Sequence, residues 1–411
     1  MEKLPLFKVQ EKKYFYSFIF LVFLINIYFQ YQNYKTFIKD EVFKTDATII
    51  NIYQKEKYYV LKLKSSNFVA FTPSYTANIY KKNDTINIYL ITTNITFLEY
   101  LKGFYTKSFN IVKIKNQNNS KLYIKNFIKN QHTNVDMSSL YQALFLAIPV
   151  SSDLREVFSN YGISHLIAIS GFHLGIISFV LYFLLHIIYN PIHKKYIPYR
   201  NKRFDIMIVV TFLLFEYLIL IDTVPSFLRA FIMFLFALFL LRNNIKLVSF
   251  ETLLIVVLTI IALFPKLLFS LSLWFSVAGV FYIFLFIKYF NNINRYIQIF
   301  IFNFWIYFAL NPIIHYFFTT TSYEQLISPI LTILFTIFYP LVAILHILNI
   351  GWLFDDMLIT IMSIKIDSFD IATPLWFFTL YLFISFLSIF YKNVFIVLNI
   401  LFVSFNIYLF T

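Results

Sequence analysis

The 411-residue chain has no cysteine, six glycines and only 13% charged residues. Without cysteine it has no disulfide, no thiolate zinc site, no cysteine-ligated iron–sulfur cluster and no thiol nucleophile. The glycines, Gly103, Gly162, Gly171, Gly175, Gly279 and Gly351, spell neither a phosphate-cradling loop nor a dinucleotide fingerprint, so neither nucleotide site is encoded. Soluble domains carry about 25% charged residues. A chain with half that share, 60% hydrophobic residues, 22% aromatic residues and a mean hydropathy of +0.72 is an integral membrane protein.

The scarce charge is unevenly placed. Formal net charge is +14, and the stretch 34–135 alone holds sixteen lysines, no arginine and six acidic residues. A basic surface outside the bilayer favours polyanions or anionic lipid headgroups, although a merely solvated lysine-rich face has the same composition.

Three parts follow from the apolar pattern: 1–33, 34–135 and 136–411. Residues 14–31 are long enough for a spanning helix. Lys8, Lys12 and Lys13 precede them, which puts the N-terminus in the cytoplasm; with no alanine before Ala47 there is no signal-peptidase site, so the segment reads as a retained anchor. Between 34 and 135 the pattern changes to short alternating runs. Residues 43–53, 58–64, 68–72, 85–92 and 109–115 read as strands, 64–67 as a hairpin turn and 95–105 as a short helix. Five such strands rich in Lys and Tyr suit a small external OB-like barrel, and a generic β-domain fits the same pattern.

From about 137 the apolar blocks return. Helices are expected at 137–148 and 152–161, the second capped by Ser152, followed by spans at 163–189, 204–221, 225–241, 247–264, 267–290 and 296–318. The inner loops carry Lys194, Lys195, Arg200, Lys202 and Arg203, then Arg242 and Lys246, then Arg295. Pro340 is expected to break the apolar stretch 327–350, and two last spans lie at 374–391 and 394–410. The fold class is thus an α-helical polytopic membrane protein of about eight to ten spans with an OB-like β-domain.

The most informative run is Leu154-Arg155-Glu156, Gly162-Ile163 and His165-Leu166-Ile167-Ala168-Ile169-Ser170-Gly171-Phe172-His173-Leu174-Gly175. Polar side chains inside an apolar span face a protein interior or a water-filled path. Gly171 and Gly175, at Gly-x-x-x-Gly spacing, allow close helix approach. His165 and His173 are eight apart, a poor fit to one helix face, and a metal site is not expected. Asp222 and Arg229 flank a short turn where two helix ends face each other and pair there, or else reach the outer interface. Glu216 is expected to line a channel or to partner His173.

The His165–Gly175 run closely resembles the signature of the ComEC competence proteins, inner-membrane channels for DNA uptake, matching it at every polar and glycine position. Pro225-Ser226-Phe227-Leu228-Arg229-Ala230 resembles that family's Pro-Ser-x-x-Arg-Ala, and 263–279 and Ser328-Pro329 with Pro340-Leu341 resemble further blocks. Many members also carry a metallo-β-lactamase-like domain with a His-x-His-x-Asp-His motif; no such motif occurs here, so the chain resembles a short form. The resemblance implies a channel and not an enzyme, passing single-stranded DNA across the cytoplasmic membrane with residues 34–160 external and no cofactor. The channel motif would be His165, Ser170, Gly171, His173 and Gly175. Lys55, Lys57, Lys62, Lys64, Lys81 and Lys82 would be the DNA contacts of the basic domain. Implied partners are a periplasmic DNA receptor, a cytoplasmic motor or strand-binding protein, and membrane lipid. The alternative is an envelope-glycan or lipid transporter or polymerase, for which an external loop at 319–325 is short.

Overall fold

The computed structural model describes residues 9–75, 80, 84–114, 119–243 and 248–411; Lys8, Lys81, Lys82, Lys115 and Lys246 lie outside the described residues. The chain divides into two compact units, Met1–Leu122 with Leu254–Trp274, and Tyr123–Leu253 with Phe275–Thr411.

The first unit starts with helix α1 (Val9–Phe37), then strands β1 (Val42–Gln54), β2 (Tyr59–Lys64), β3 (Val69–Ser74) and β4 (Thr85–Ile91), helix α2 (Phe97–Lys102), and strands β5 (Phe104–Tyr105) and β6 (Ser108–Ile114). Burial alternates along the strands as period-2 side chains require, with Ile86, Ile88 and Leu90 inward on β4 and Leu61 and Leu63 inward on β2. The strand order is β5-β3-β2-β1-β4-β6. Only Thr106 and Lys107 separate β5, parallel to β3, from β6, antiparallel to β4. Those two strands are therefore the halves of one bent strand that joins both edges of the sheet and closes it. Closure removes the exposed edges that an open sheet would leave.

The end of α1 fills one mouth of this closed sheet. Phe37 is 1% exposed, its ring lying 4.9–5.4 Å from those of Phe43, Phe68, Tyr100 and Phe104. Tyr34 donates to the Ile95 carbonyl (2.7 Å), and Thr96 and Glu99 form a reciprocal capping box at the start of α2.

The second unit is helical. Helix α3 (Asn119–Lys129) leads into it, followed by α4 (Val135–Leu146), α5 (Ser152–Asn160), α6 (Ser164–Ile167), α7 (Gly171–Tyr196), α8 (Lys202–Leu220), α9 (Pro225–Arg242), α10 (Phe250–Leu263), α11 (Leu271–Tyr289) and α12 (Arg295–Phe317). Strand β7 (Thr320–Thr321), α13 (Ser328–Ile347), α14 (Asp355–Met362), β8 (Phe369–Asp370), α15 (Leu375–Leu387) and α16 (Lys392–Phe410) complete the chain. Most of α10, from Leu254 on, and the start of α11, up to Trp274, belong to the first unit.

Seven described helices are long and apolar enough to cross a membrane: Lys12–Phe37, Gly171–Tyr196, Pro225–Arg242, Leu271–Tyr289, Tyr296–Phe317, Tyr323–Ile347 and Lys392–Phe410. The count of eight to ten needs members of a weaker set, since α10 and α15 are 14 and 13 residues long and α8 carries Lys202, Arg203, Asp205 and Glu216.

Three expectations change at prolines and caps. The span expected at 163–189 is interrupted: α6 ends at Ile167, and α7 starts only at Gly171. Pro340 does not break its helix, because α13 runs unbroken from Ser328 to Ile347, and α7 likewise continues through Pro191 to Tyr196. Prolines persist in apolar helices where neighbours satisfy the freed backbone. At Pro312 the agent is visible: the carbonyl of Phe308, four residues earlier, accepts from Asn406 Nδ2 at 3.0 Å. The cap of α5 is Ser151, whose hydroxyl accepts from Leu154 N, one residue before the expected Ser152.

A short turn joins α3 to α4, and Ile128 of α3 shares a buried cluster with Leu140, Tyr141 and Leu144 of α4. Phe145 and Tyr141 of α4 lie against Tyr339 and His346 of α13, with ring separations of 5.7 and 4.6 Å, so α4 runs antiparallel beside α13. After α13 the chain returns through α14 until β8 pairs with β7 (Thr320 with Asp370), placing the acidic 367–370 stretch beside the 319–325 loop.

Candidate functional site

Helix α5 closes in a left-handed residue, Gly162 (φ +67°), with Ile163 N bonded to the Phe158 carbonyl and Gly162 N to that of Ser159. A Cβ there would sit 3.2 Å from that of Ser328, whose hydroxyl donates to the Gly162 carbonyl at 2.9 Å. His165, on α6, is exposed, 3.5 Å from the Thr332 hydroxyl.

The chain then extends through Ala168, Ile169 and Ser170. Ser170 caps α7: its hydroxyl accepts from Phe172 N, while its own N–H donates to His173 Nδ1, both at 3.3 Å. The amide contact fixes Nδ1 as an acceptor. His173 is wholly buried, with Phe335 and Tyr339 rings edge-on at 5.4 and 5.0 Å, and its Nε2 has no hydrogen-bond partner in ordinary geometry.

The two glycines differ. A Cβ on Gly171 would lie 3.3 Å from that of Ala230 on α9, whereas one on Gly175 would meet nothing within 4 Å. Close helix approach therefore occurs at Gly171 and not at Gly175. Next to this contact, Ser226 donates to the Ile169 carbonyl in the helix break. Thus three stretches far apart in sequence converge: 162–173, Ser226–Ala230, and Ser328 to Tyr339.

Arg229 is 4% exposed, and Asp222 is exposed in a left-handed turn (φ 57°). Glu216 is exposed on α8, whereas its neighbour Tyr217 turns inward and donates to the Phe145 carbonyl (2.9 Å). With His173 enclosed by Ser170, Phe335 and Tyr339, the pairing expected between Glu216 and His173 does not form.

An open cleft of about 410 Å³ lies beside α5 and the β7–β8 pair, lined among others by Arg155, Glu156, Asn160, Phe369 and Asp370. Asn160 is 7% exposed with an unpartnered Oδ1. The cleft offers a cation, an aromatic edge and several acceptors. Its lining comes from positions about 210 apart, so the sequence shows Arg155 and Glu156 without their setting.

On the β-domain, Lys62 lies 5.5 Å over Phe71 and Lys44 5.4 Å over Tyr89, which stacks on Phe109 at 5.5 Å. Lys55 and Lys57 are exposed at the β1–β2 turn, and Lys64 is half-buried. Lys44 carries the same lysine-on-aromatic pattern outside the expected set. Among the described residues no group of three or more His, Asp or Glu side chains is placed to hold a metal ion.

No curated protein and no solved structure matches this chain. Residues 149–410 match the Competence family, described as competence protein, and this stretch contains the break at 168–170 and the segments that close around it. The chain, a membrane protein by its seven apolar helices, belongs to the competence protein family.

Proposed function

We propose that this protein acts in DNA uptake at the membrane, passing single-stranded DNA across the cytoplasmic membrane during natural transformation as a channel of the ComEC type and not as an enzyme. The observation that carries the reading is the competence-family match over 149–410, more than half the chain, which contains a helix interruption lined by polar groups. Non-helical backbone at membrane depth is tolerated where it is enclosed by protein or lines a water-filled path, and a conduit needs such a place.

The β-domain supports it. Its strand order, with a last strand closing β3 onto β4, supports the OB-like reading, and its lysine-on-aromatic pairs suit stacked bases and a phosphate backbone. The basic loops of the sequence support a reading in which the N-terminus is cytoplasmic and residues 34–160 are external. The partners of this reading are a periplasmic DNA receptor, a cytoplasmic motor or strand-binding protein, and membrane lipid.

The test is delivery of fluorescent DNA to the cytoplasm in a strain lacking the gene, with and without its restoration. Surface binding should persist in the deletion and internal signal should return only with the gene. Undiminished internal DNA in the deletion strain would refute the reading.

A further inference from the structure

The turn between α3 and α4 meets the turn between α13 and α14, and where they meet lies a row of polar side chains in apolar surroundings. Gln131, His132, His346 and Asp355 are 9%, 9%, 4% and 6% exposed. His132 Nδ1 lies 3.0 and 2.9 Å from the two Asp355 carboxylate oxygens, and His132 Nε2 lies 3.0 Å from His346 Nε2. His346 Nδ1 in turn lies 2.6 Å from the Val342 carbonyl. Gln131 ties the same two turns together, donating to the His346 carbonyl (3.1 Å) and accepting from Gly351 N (2.9 Å). The Tyr141 ring covers the row, 4.7 Å from one imidazole and 4.6 Å from the other. Burial, and then the Asp355 carboxylate, push the Tyr141 phenol well above its ordinary value, so it stays protonated. Of the remaining charged groups on these helices, Lys129, Asp136 and Asp356 are exposed, and Lys121 and Lys125 of α3 are half-buried.

The number of protons this row holds follows from its donors and acceptors. A carbonyl only accepts, so His346 carries its hydrogen on Nδ1 and, when neutral, offers Nε2 as an acceptor. His132 must then carry hydrogen on Nε2. One further proton lies between His132 Nδ1 and the Asp355 carboxyl. Three protons shared by His346, His132 and Asp355 make every contact donor-to-acceptor at zero net charge. A fourth has no good place. On His346 Nε2 it would set two N–H groups against each other, and on Asp355 it would leave an imidazolium without its counter-ion in a buried site. The groups do not converge on one point as metal ligands do, since His132 uses its two nitrogens in opposite directions.

We propose that this row is a proton-binding site, and that taking up one proton from the three-proton state unseats the α13–α14 turn from the α3–α4 turn. The bonds that change are N–H and O–H bonds, with the proton supplied by solvent.

Because the chain has no cysteine, Thr133→Cys and Leu353→Cys can carry spin labels at two exposed positions of the intact protein in nanodiscs. Pulsed electron resonance should give one short distance at about pH 7.5 and a longer, broader distribution at about pH 4.5, reversibly. An identical distance at both would overturn the proposal. With His132→Gln, His346→Gln and Asp355→Asn combined, the row has no group left to take up a proton, so the acid response should disappear, and its persistence would also overturn the proposal. Should that variant fail to insert, hydrogen exchange of the unmodified protein takes its place. Amides of 130–136 and 347–356 should lose protection together in acid, beyond the intrinsic rate change, while those of 223–230 should not. Equal loss in all three, or none, would refute it.

Discussion

A glycine is informative only through what a side chain would meet there. Gly171 and Gly175 share a motif, yet only the first is packed, with Ala230 of α9 in the way of any added atom. Gly175→Ala should leave DNA uptake unchanged and raise stability by up to about 1 kcal/mol, seen as a slightly higher melting temperature, since alanine is the better helix former and the space is open. Gly171→Leu should push α7 from α9 and abolish uptake while surface DNA binding remains. Wild-type uptake by a stably inserted Gly171→Leu protein would remove the packing role. Gly162→Ala faces a different penalty, roughly 1–2 kcal/mol for the left-handed backbone, added to its contact with Ser328. It should show as a lower melting temperature. The sequence shows the motif; which glycine is packed depends on α9, whose Ala230 lies 59 positions from Gly171. The buried row is still less legible, because His132 and Asp355 are 223 positions apart and neither sits in a recognisable motif.

At the scale of elements, what was legible depended on whether the pattern was local. The strands could be read because one closed sheet buries alternate residues, and β1 to β4 fall within a residue or two of the expected runs. The interruption at 168–170 could not, because apolar character continues through it and only the reciprocal Ser170–His173 contacts mark the start of α7. Pro340 misled in the opposite direction, since a helix held by neighbours tolerates a lost bond. One further element was hidden: the 3₁₀ turn Pro265–Phe269, which belongs to the first unit, where Lys266 lies 4.9 Å over the Tyr100 ring. Burial lowers Lys266 to about 8 and raises Tyr100 to about 12. A lysine whose folded value lies below its unfolded one destabilises the fold while charged. That penalty is fully present below about pH 8 and is relieved as pH rises from there towards the unfolded value of 10.5. Melting temperature should therefore rise from about pH 8 towards pH 10, above which the raised Tyr100 phenol acts in the opposite direction. Lys266→Met should raise it at neutral pH and flatten the dependence, and an unchanged slope in the variant would show that another group titrates.

For the whole molecule the central question is whether the net charge of +14 serves a polyanion or only keeps a hydrophobic chain soluble at its surface. Salt separates the two. Each lysine that neutralises a phosphate of a single strand releases a condensed counterion, and log K falls with log salt by about 0.7 per contact. Lys44, Lys55, Lys57, Lys62 and Lys64 are described on the β-domain, two of them directly over aromatic rings. If all five touch phosphate, single-stranded oligonucleotide binding to the intact protein in nanodiscs should show a slope steeper by about 3.5 than that of a protein with the five replaced by alanine. Nanodiscs of neutral lipid keep anionic headgroups from competing for the same cations. Replacing Phe71 and Tyr89 by leucine should instead weaken binding by about 1–3 kcal/mol per lost stack and leave the slope nearly unchanged, because stacking releases no ions. A basic surface without a nucleic-acid role would give binding that is absent at low salt or equally steep in all three proteins, and the helical unit would then have to capture the strand without the β-domain.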